Sequence, residues 1–85
     1  MSYEIRFAPA SVRDIRKLPA FDQERVLERI RQLGDSPWPT GSVKLRNSED
    51  LYRIRLGDLR IIYQVQDNCL LVIVVNIAQM DKAYR

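Results

Sequence analysis

The run Leu51–Gln66, LYRIRLGDLRIIYQVQ, constrains the fold of this chain more than any other feature. On both sides of Gly57-Asp58, apolar and polar residues alternate with the period of two that marks a half-buried strand. A two-residue connection with glycine first suits a type II′ turn, whose twist matches that of the strands it joins. So short a turn leaves a single register: Leu56 opposite Leu59, Arg55 opposite Arg60, Ile54 opposite Ile61 and Tyr52 opposite Tyr63. Tyr52, Ile54, Ile61 and Tyr63 then share a face bound for a core, while Arg53, Arg55, Arg60 and Gln64 share the other.

The rest of the chain supplies what such a hairpin packs against. Tyr3, Ile5 and Phe7 alternate with Glu4 and Arg6, which predicts a strand. Pro9 fits the first turn of a helix, Val12 and Ile15 give that helix an apolar stripe, and Pro19 stops it after Leu18. A second helix is expected from Ala20 to Leu33. Val26, Leu27, Ile30 and Leu33 recur on one side, Asp22, Glu24, Arg25, Glu28, Arg29 and Arg31 fall mainly on the other, and Gly34 is placed as the C-cap. With Pro19 as the only break, the two form a tight αα-hairpin. Asp35–Gly41 reads as a loop in which Trp38 lies as a lid on the core.

Val43–Arg46 is expected as a short strand, followed by a turn over Asn47–Asp50. Asp67-Asn68 makes a second tight turn. Cys69–Ile77 is apolar on both faces, the pattern of a central strand covered on both sides, with Cys69 as a small buried hydrophobe. The expected architecture is α+β, in the order βααβββ: an antiparallel, mostly meander sheet of three or four strands after the first, packed on an N-terminal αα-hairpin.

Length and composition exclude several classes. Eighty-five residues bury one core, so residues 1–85 are expected as one domain, and 46% hydrophobic with 29% charged residues is a globular balance. A single cysteine allows no intrachain disulfide. The start, MSYEIRFAP, lacks the pattern of a signal peptide, and Leu70–Val75 is too short an apolar run to span a bilayer. A cytoplasmic protein with no membrane association is therefore expected. With no histidine, one cysteine and carboxylates at non-ligand spacings, neither a metal site nor a cofactor is expected, and three glycines provide no glycine-rich phosphate cradle. The net charge of +3 permits an anionic partner without demanding one.

The distribution of that charge says more. Two arginines directly across a ladder repel by up to about 1 kcal/mol, and Asp58 sits in the turn rather than on their face. Stability alone would place Glu or Thr at one of these positions. An anionic ligand accounts for the pair, since guanidinium forks bind phosphate oxygens two at a time. The competing reading is a solvated sheet face that uses arginine for its long stem.

The run KLRNSEDLYRIRLGDLRIIYQVQDN, residues 44–68, resembles the core signature of the RelE/ParE toxin superfamily, in particular its RelE branch. That branch reads K-L, a few turn residues, Y-[KR]-[IV]-[KR], a turn, and Y-R-[LIV]-[LIV]-Y. Asp14–Pro19, DIRKLP, resembles its helical hairpin and residues 77–85, IAQMDKAYR, its closing segment, so the likeness spans the chain. The resemblance implies a toxin of a type II toxin–antitoxin system: a ribosome-dependent mRNA endoribonuclease that inhibits translation. Its implied partners are a RelB-like antitoxin, the ribosome and mRNA, and the toxin–antitoxin pair is expected to bind operator DNA. Arg53 and Arg55 fall on the family's basic strand positions, Arg60 on its phosphate-binding arginine and Tyr84 on its C-terminal tyrosine. These four are the candidate catalytic residues. Lys44, Arg46, Gln64, Lys82 and Arg85 are the candidate RNA-binding residues.

Two departures accompany the likeness. Gln79-Met80 stands where the family commonly has a basic pair, whose arginine would support transition-state charge or leaving-group protonation, and Leu59 replaces a frequent aromatic before Arg60. Cleavage by 2′-hydroxyl attack requires a base, charge stabilisation at phosphorus and an acid. Arginine, with a pKa above about 12, is a clamp rather than a base, which leaves Tyr84, Lys82 and Lys44 as titratable candidates, with Tyr84 favoured. The alternative, motivated by residues 79–80, is a ParE-like gyrase inhibitor or an attenuated toxin acting as a binding module.

Overall fold

A computed structural model describes residues 2–79. In chain order they form β1 (Glu4–Phe7), α1 (Pro9–Arg16), α2 (Ala20–Asp35), β2 (Val43–Lys44), β3 (Leu51–Leu56), β4 (Leu59–Gln66), a single 3₁₀ turn (Asp67–Cys69) and β5 (Leu71–Gln79). The strands make one sheet in the order β1-β5-β4-β3-β2. From β2 to β5 this is the expected antiparallel meander, but β1 pairs in parallel with β5, Glu4 beside Leu71 through Phe7 beside Val74, so the sheet is mixed. The helical hairpin supplies the crossover that a parallel pairing needs.

Both helices lie on one face. Ile15 of α1 and Val26, Ile30 and Leu33 of α2 form a single core with Ile54, Leu59, Ile61, Tyr63, Val65, Val72, Val74 and Ile77 of the sheet. The alternation of β3 and β4 dictates this: every second residue of β4 from Leu59 to Val65 is buried. The Tyr63 hydroxyl, carried into the core, donates to the carbonyl of Pro37 at 2.8 Å. Tyr52 stacks on Tyr63, and Trp38 meets Tyr3 and Tyr52 edge-on. Trp38 thus links Tyr3 to the Tyr52–Tyr63 stack, though nearly half of it (46%) faces solvent.

Several expectations are corrected. Gly34 is not a cap but lies inside α2, where β1 runs against it. The Tyr3 N–H donates to the Gly34 carbonyl at 2.7 Å, and a Cβ on Gly34 would stand 3.3 Å from the Tyr3 carbonyl oxygen. Cys69 is exposed, because the chain leaves β4 through the 3₁₀ turn and Leu70 takes a left-handed conformation (φ 51°) before β5 begins. The strand expected over Val43–Arg46 ends at Lys44, and Arg46 enters a turn in which Asn47 has φ 60°. Finally, among the described residues the helices cover β5 on one face only. Leu71, Ile73, Val75 and Asn76 are half-buried on a sheet that carries no helix on that side among the described residues.

Candidate nucleic-acid interface

The hairpin register is the expected one. Arg55 pairs with Arg60, Ile54 with Ile61, Tyr52 with Tyr63 and Leu56 with Leu59, with Arg53 opposite Ile62 and Leu51 opposite Gln64. Gly57 has φ +62° at the turn. Its bare backbone also lets Arg25 of α2 approach: a Cβ there would lie 2.8 Å from Arg25 Nη2, which reaches the Leu56 carbonyl at 3.4 Å. The tip of the hairpin is therefore tied to the helix layer, and the arginines are carried by a braced element.

Arg53, Arg55 and Arg60 all project from the face opposite the helices. Arg55 is exposed, while Arg53 and Arg60 are half-buried. The ion pairs among the described residues are Arg6–Glu4, Arg25–Asp22 and Arg31–Glu28, so none of the three has a carboxylate partner there. The Arg60 Nε is fully buried and has no hydrogen-bond partner among the described residues. Three guanidinium groups without counter-charge, one with a donor already withdrawn from water, form a surface for anionic oxygens.

The other candidates divide. Gln64 shares the arginine face, but its Nε2 donates to Asp50 Oδ2 at 2.8 Å, at the end of β3 away from the turn. Lys44 lies opposite Tyr52, and the register therefore directs it to the helix side of the edge strand, away from the arginines. Arg46 is exposed in the turn that precedes β3, at the far end of the hairpin from Arg55 and Arg60. Tyr84, Lys82 and Arg85, with Met80, lie outside the described residues. Gln79 pairs with Leu59 on the helix side, whereas Ala78 pairs with Arg60 on the arginine face.

Two phenols are perturbed, both upward. The bond Tyr3 donates to Asp67 is the main cause for the first, and burial in the core is the main cause for Tyr63. Neither lies on the arginine face, and a raised pKa makes a phenol a poorer base at neutral pH.

One residue of this face was not among the sequence candidates. Asn76 of β5 pairs with Ile62, and its Oδ1 is buried without a hydrogen-bond partner among the described residues. It is the single polar residue in the run LLVIVVNIA, and that interruption was the available signal. It was missed because the run was read as apolar on both faces.

The chain belongs to the family described as the ParE toxin of type II toxin–antitoxin systems, parDE, whose model matches residues 5–84. It is 28% identical, over 98% of this chain and 88% of the relative, to a RelE-like toxin protein of Escherichia coli. Among solved structures it resembles the archaeal RelE–RelB complex from Pyrococcus horikoshii, with a TM-score of 0.84 and 29% identity over 96% of this chain and 99% of that one. It also resembles the toxin–antitoxin complex RelBE2 from Mycobacterium tuberculosis, with a TM-score of 0.84 and 25% identity over 93% and 92% of the two chains. The RelE/ParE resemblance and the α+β RelE-like fold are thus established, and the chain is a type II toxin of RelE type.

Proposed function

We propose that this toxin is a ribosome-dependent mRNA endoribonuclease that grips the message on the outer face of its sheet. The observation that carries the reading is the gathering of Arg53, Arg55 and Arg60 on one braced face with no carboxylate partner among the described residues. In the reaction, a ribose 2′-oxygen bonds to the adjacent phosphorus and the bond to the 5′-oxygen breaks. The 2′-proton passes to a base, and the leaving oxygen gains one. Arg60 and Arg55 hold the phosphate and oppose the charge that builds on it. Arg53 holds the neighbouring backbone, and Tyr84, Lys82 and Arg85 complete the contact from the C-terminal segment. Tyr84 stacks on a base and serves in proton transfer. With no histidine to accept the proton, the chemistry is weak unless the substrate is oriented, and the ribosome supplies that orientation.

The two solved relatives described above are complexes of toxin with antitoxin, which supports a RelB-like partner here. The antitoxin wraps the toxin with an extended or helical segment that folds as it binds and covers or displaces the C-terminal tail, and the pair binds operator DNA. The site of action is the cytoplasm.

Induction of the chain without its antitoxin is expected to halt translation and to leave cuts in ribosome-bound mRNA, mapped by primer extension. Arg60→Ala is expected to abolish the cuts. Because the buried donor this removes has no partner among the described residues, the variant is expected to fold and to melt cooperatively. Intact messages during growth arrest would refute the proposal. Arrest with DNA damage and continued translation would favour the ParE-like gyrase alternative that Gln79-Met80 motivates.

A further inference from the structure

The end of the hairpin that carries Arg55 and Arg60 has little of the sheet to hold it. β2 lies beside β3 only at Arg53 and Tyr52, so among the described residues Ile54–Leu56 has β4 as its one strand neighbour. Within that stretch the two arginines stand directly opposite each other, and their like charges push the strands apart. Ile54 and Leu59 are anchored in the core, but Leu56 is not fully buried. Beside it a cavity of about 380 Å³ opens toward α2, and every α2 side chain that lines it is charged or polar: Glu24, Arg25, Glu28, Arg29 and Gln32. Apolar packing therefore does not fix the turn against the helix.

Arg25 spans this gap. Its Nη2 donates to the Leu56 carbonyl at 3.4 Å, the only hydrogen bond between α2 and the hairpin among the described residues. The bond is long, but its donor is held on two other sides. Nη1 pairs with Asp22 Oδ1 at 3.2 Å, one turn back on the helix, and the guanidinium lies over the Phe21 ring, 5.5 Å from its centroid. Phe21 is 69% exposed and takes no part in the core, so a stack under Arg25 accounts for an aromatic ring at that position. Gly57 completes the fit: with φ +62° it has no Cβ, and a Cβ would stand 2.8 Å from Arg25 Nη2. Asp22 offsets the charge of Arg25, so the tie adds little repulsion to the arginine pair.

We propose that Arg25 is a positioning residue for cleavage. Acting through the Leu56 carbonyl and the Gly57 turn, it fixes the angle of the hairpin end and thereby the spacing at which Arg55 and Arg60 meet a phosphate. The inference rests on the nucleic-acid reading of the arginine face and adds to it a residue on the opposite side of the sheet that touches no substrate. The two arginines bring their charge to the message with or without Arg25. What requires Arg25 is their alignment as charge builds on the phosphate, a demand that is greatest in the transition state.

The test is single-turnover cleavage of mRNA on programmed ribosomes by the full chain, read as the rate at saturating toxin and the half-saturating toxin concentration. Arg25→Ala is expected to lower the saturating rate about ten- to hundredfold, the scale of an ångström's misplacement. The half-saturating concentration should stay within about twofold of wild type, and the thermal melt should remain cooperative. Arg25→Met, which keeps the stem and suits a helix but has no guanidinium, gives a second variant should the first fold poorly. Gly57→Ala, which drives a methyl against Nη2, should also slow cleavage, and by a smaller factor when Arg25 is already alanine. An unchanged saturating rate overturns the proposal. So does an effect confined to the half-saturating concentration, since Arg25 would then be a contact to ribosome or message. Independent effects of Gly57→Ala and Arg25→Ala, or loss of the cooperative melt in both Arg25 variants, overturn it too. If wild type leaves messages intact, or Arg60→Ala cuts as wild type does, the nucleic-acid reading itself fails, and this proposal fails with it.

Discussion

Tyr63 illustrates how a single side chain serves two demands. Its ring fills the centre of the core and stacks on Tyr52, while its hydroxyl reaches out to the Pro37 carbonyl. Burial raises its pKa above the usual value near 10, so the folded protein retains this proton at a pH where the unfolded chain has lost it. The contribution is complete below the unfolded pKa and declines as pH rises from there through the higher folded value. Thermal melts are expected to show a steep alkaline loss of stability beginning about pH 10, and Tyr63→Phe should flatten it. Tyr3→Phe serves as the comparison, because that phenol is held up chiefly by its bond to Asp67 at the surface. A decline of equal slope in Tyr63→Phe and wild type would assign the alkaline transition elsewhere. At this scale the arginines are the converse of Tyr63, charged groups placed without a carboxylate partner among the described residues on the opposite face of the same strands.

Among the elements, β5 is the one on which the site depends, and α1 governs it. Past the end of β1, the edge of β5 has no strand beside it among the described residues, and its backbone groups need other partners. Asp14 provides one through the N–H of Ile77, two residues after a bulge in which Tyr63 pairs with Val74, Ile62 pairs with Asn76 and Val75 is the extra residue. Asp14→Ala leaves that N–H unpaired in a half-buried setting and is expected to cost about 1–3 kcal/mol, read as a lower urea midpoint with unchanged slope. Asp14→Asn keeps an oxygen acceptor and should recover most of the loss. If alanine and asparagine melt alike, the bond to Ile77 is not what fixes the bulge. The DIRKLP segment thus acts through the backbone of β5 rather than by facing the arginines.

For the whole molecule, the decisive contact joins the two ends of the described chain. β1 pairs with β5 in parallel, so the sheet cannot be completed until nearly all of the chain has been collected. Long-range pairing of this kind places refolding in about the millisecond-to-second range rather than the microsecond range of helical bundles. Removing residues 2–7 takes away the partner of Leu71–Val74 and bares the edge beside Val72 and Val74. Circular dichroism is expected to show loss of the cooperative thermal transition. A truncated chain that still melts cooperatively would mean that the meander and helices suffice. Charge is also arranged at this scale, with the arginine face on the side of the sheet that the helices leave uncovered.

The hairpin, its register and its two faces could be read in the amino acids, because a two-residue turn and a strict period of two are local properties of the backbone. The helices were legible for the same reason, from apolar spacing and two prolines. The parallel pairing of β1, the close-approach role of Gly34 and the exposure of Cys69 were not legible, since each depends on which distant segment comes to lie alongside. Lys44 was grouped with the arginines by composition, and only its pairing with Tyr52 placed it on the other face. Asn76 is the clearest case. Its sequence neighbours mark it as a strand residue, but a single extra residue in β5, next to a backbone N–H at Ile77 held by a carboxylate 63 positions before that residue, chose the face to which it points. A residue's period is set by its own backbone, while its side of the sheet is set by what that backbone is bonded to.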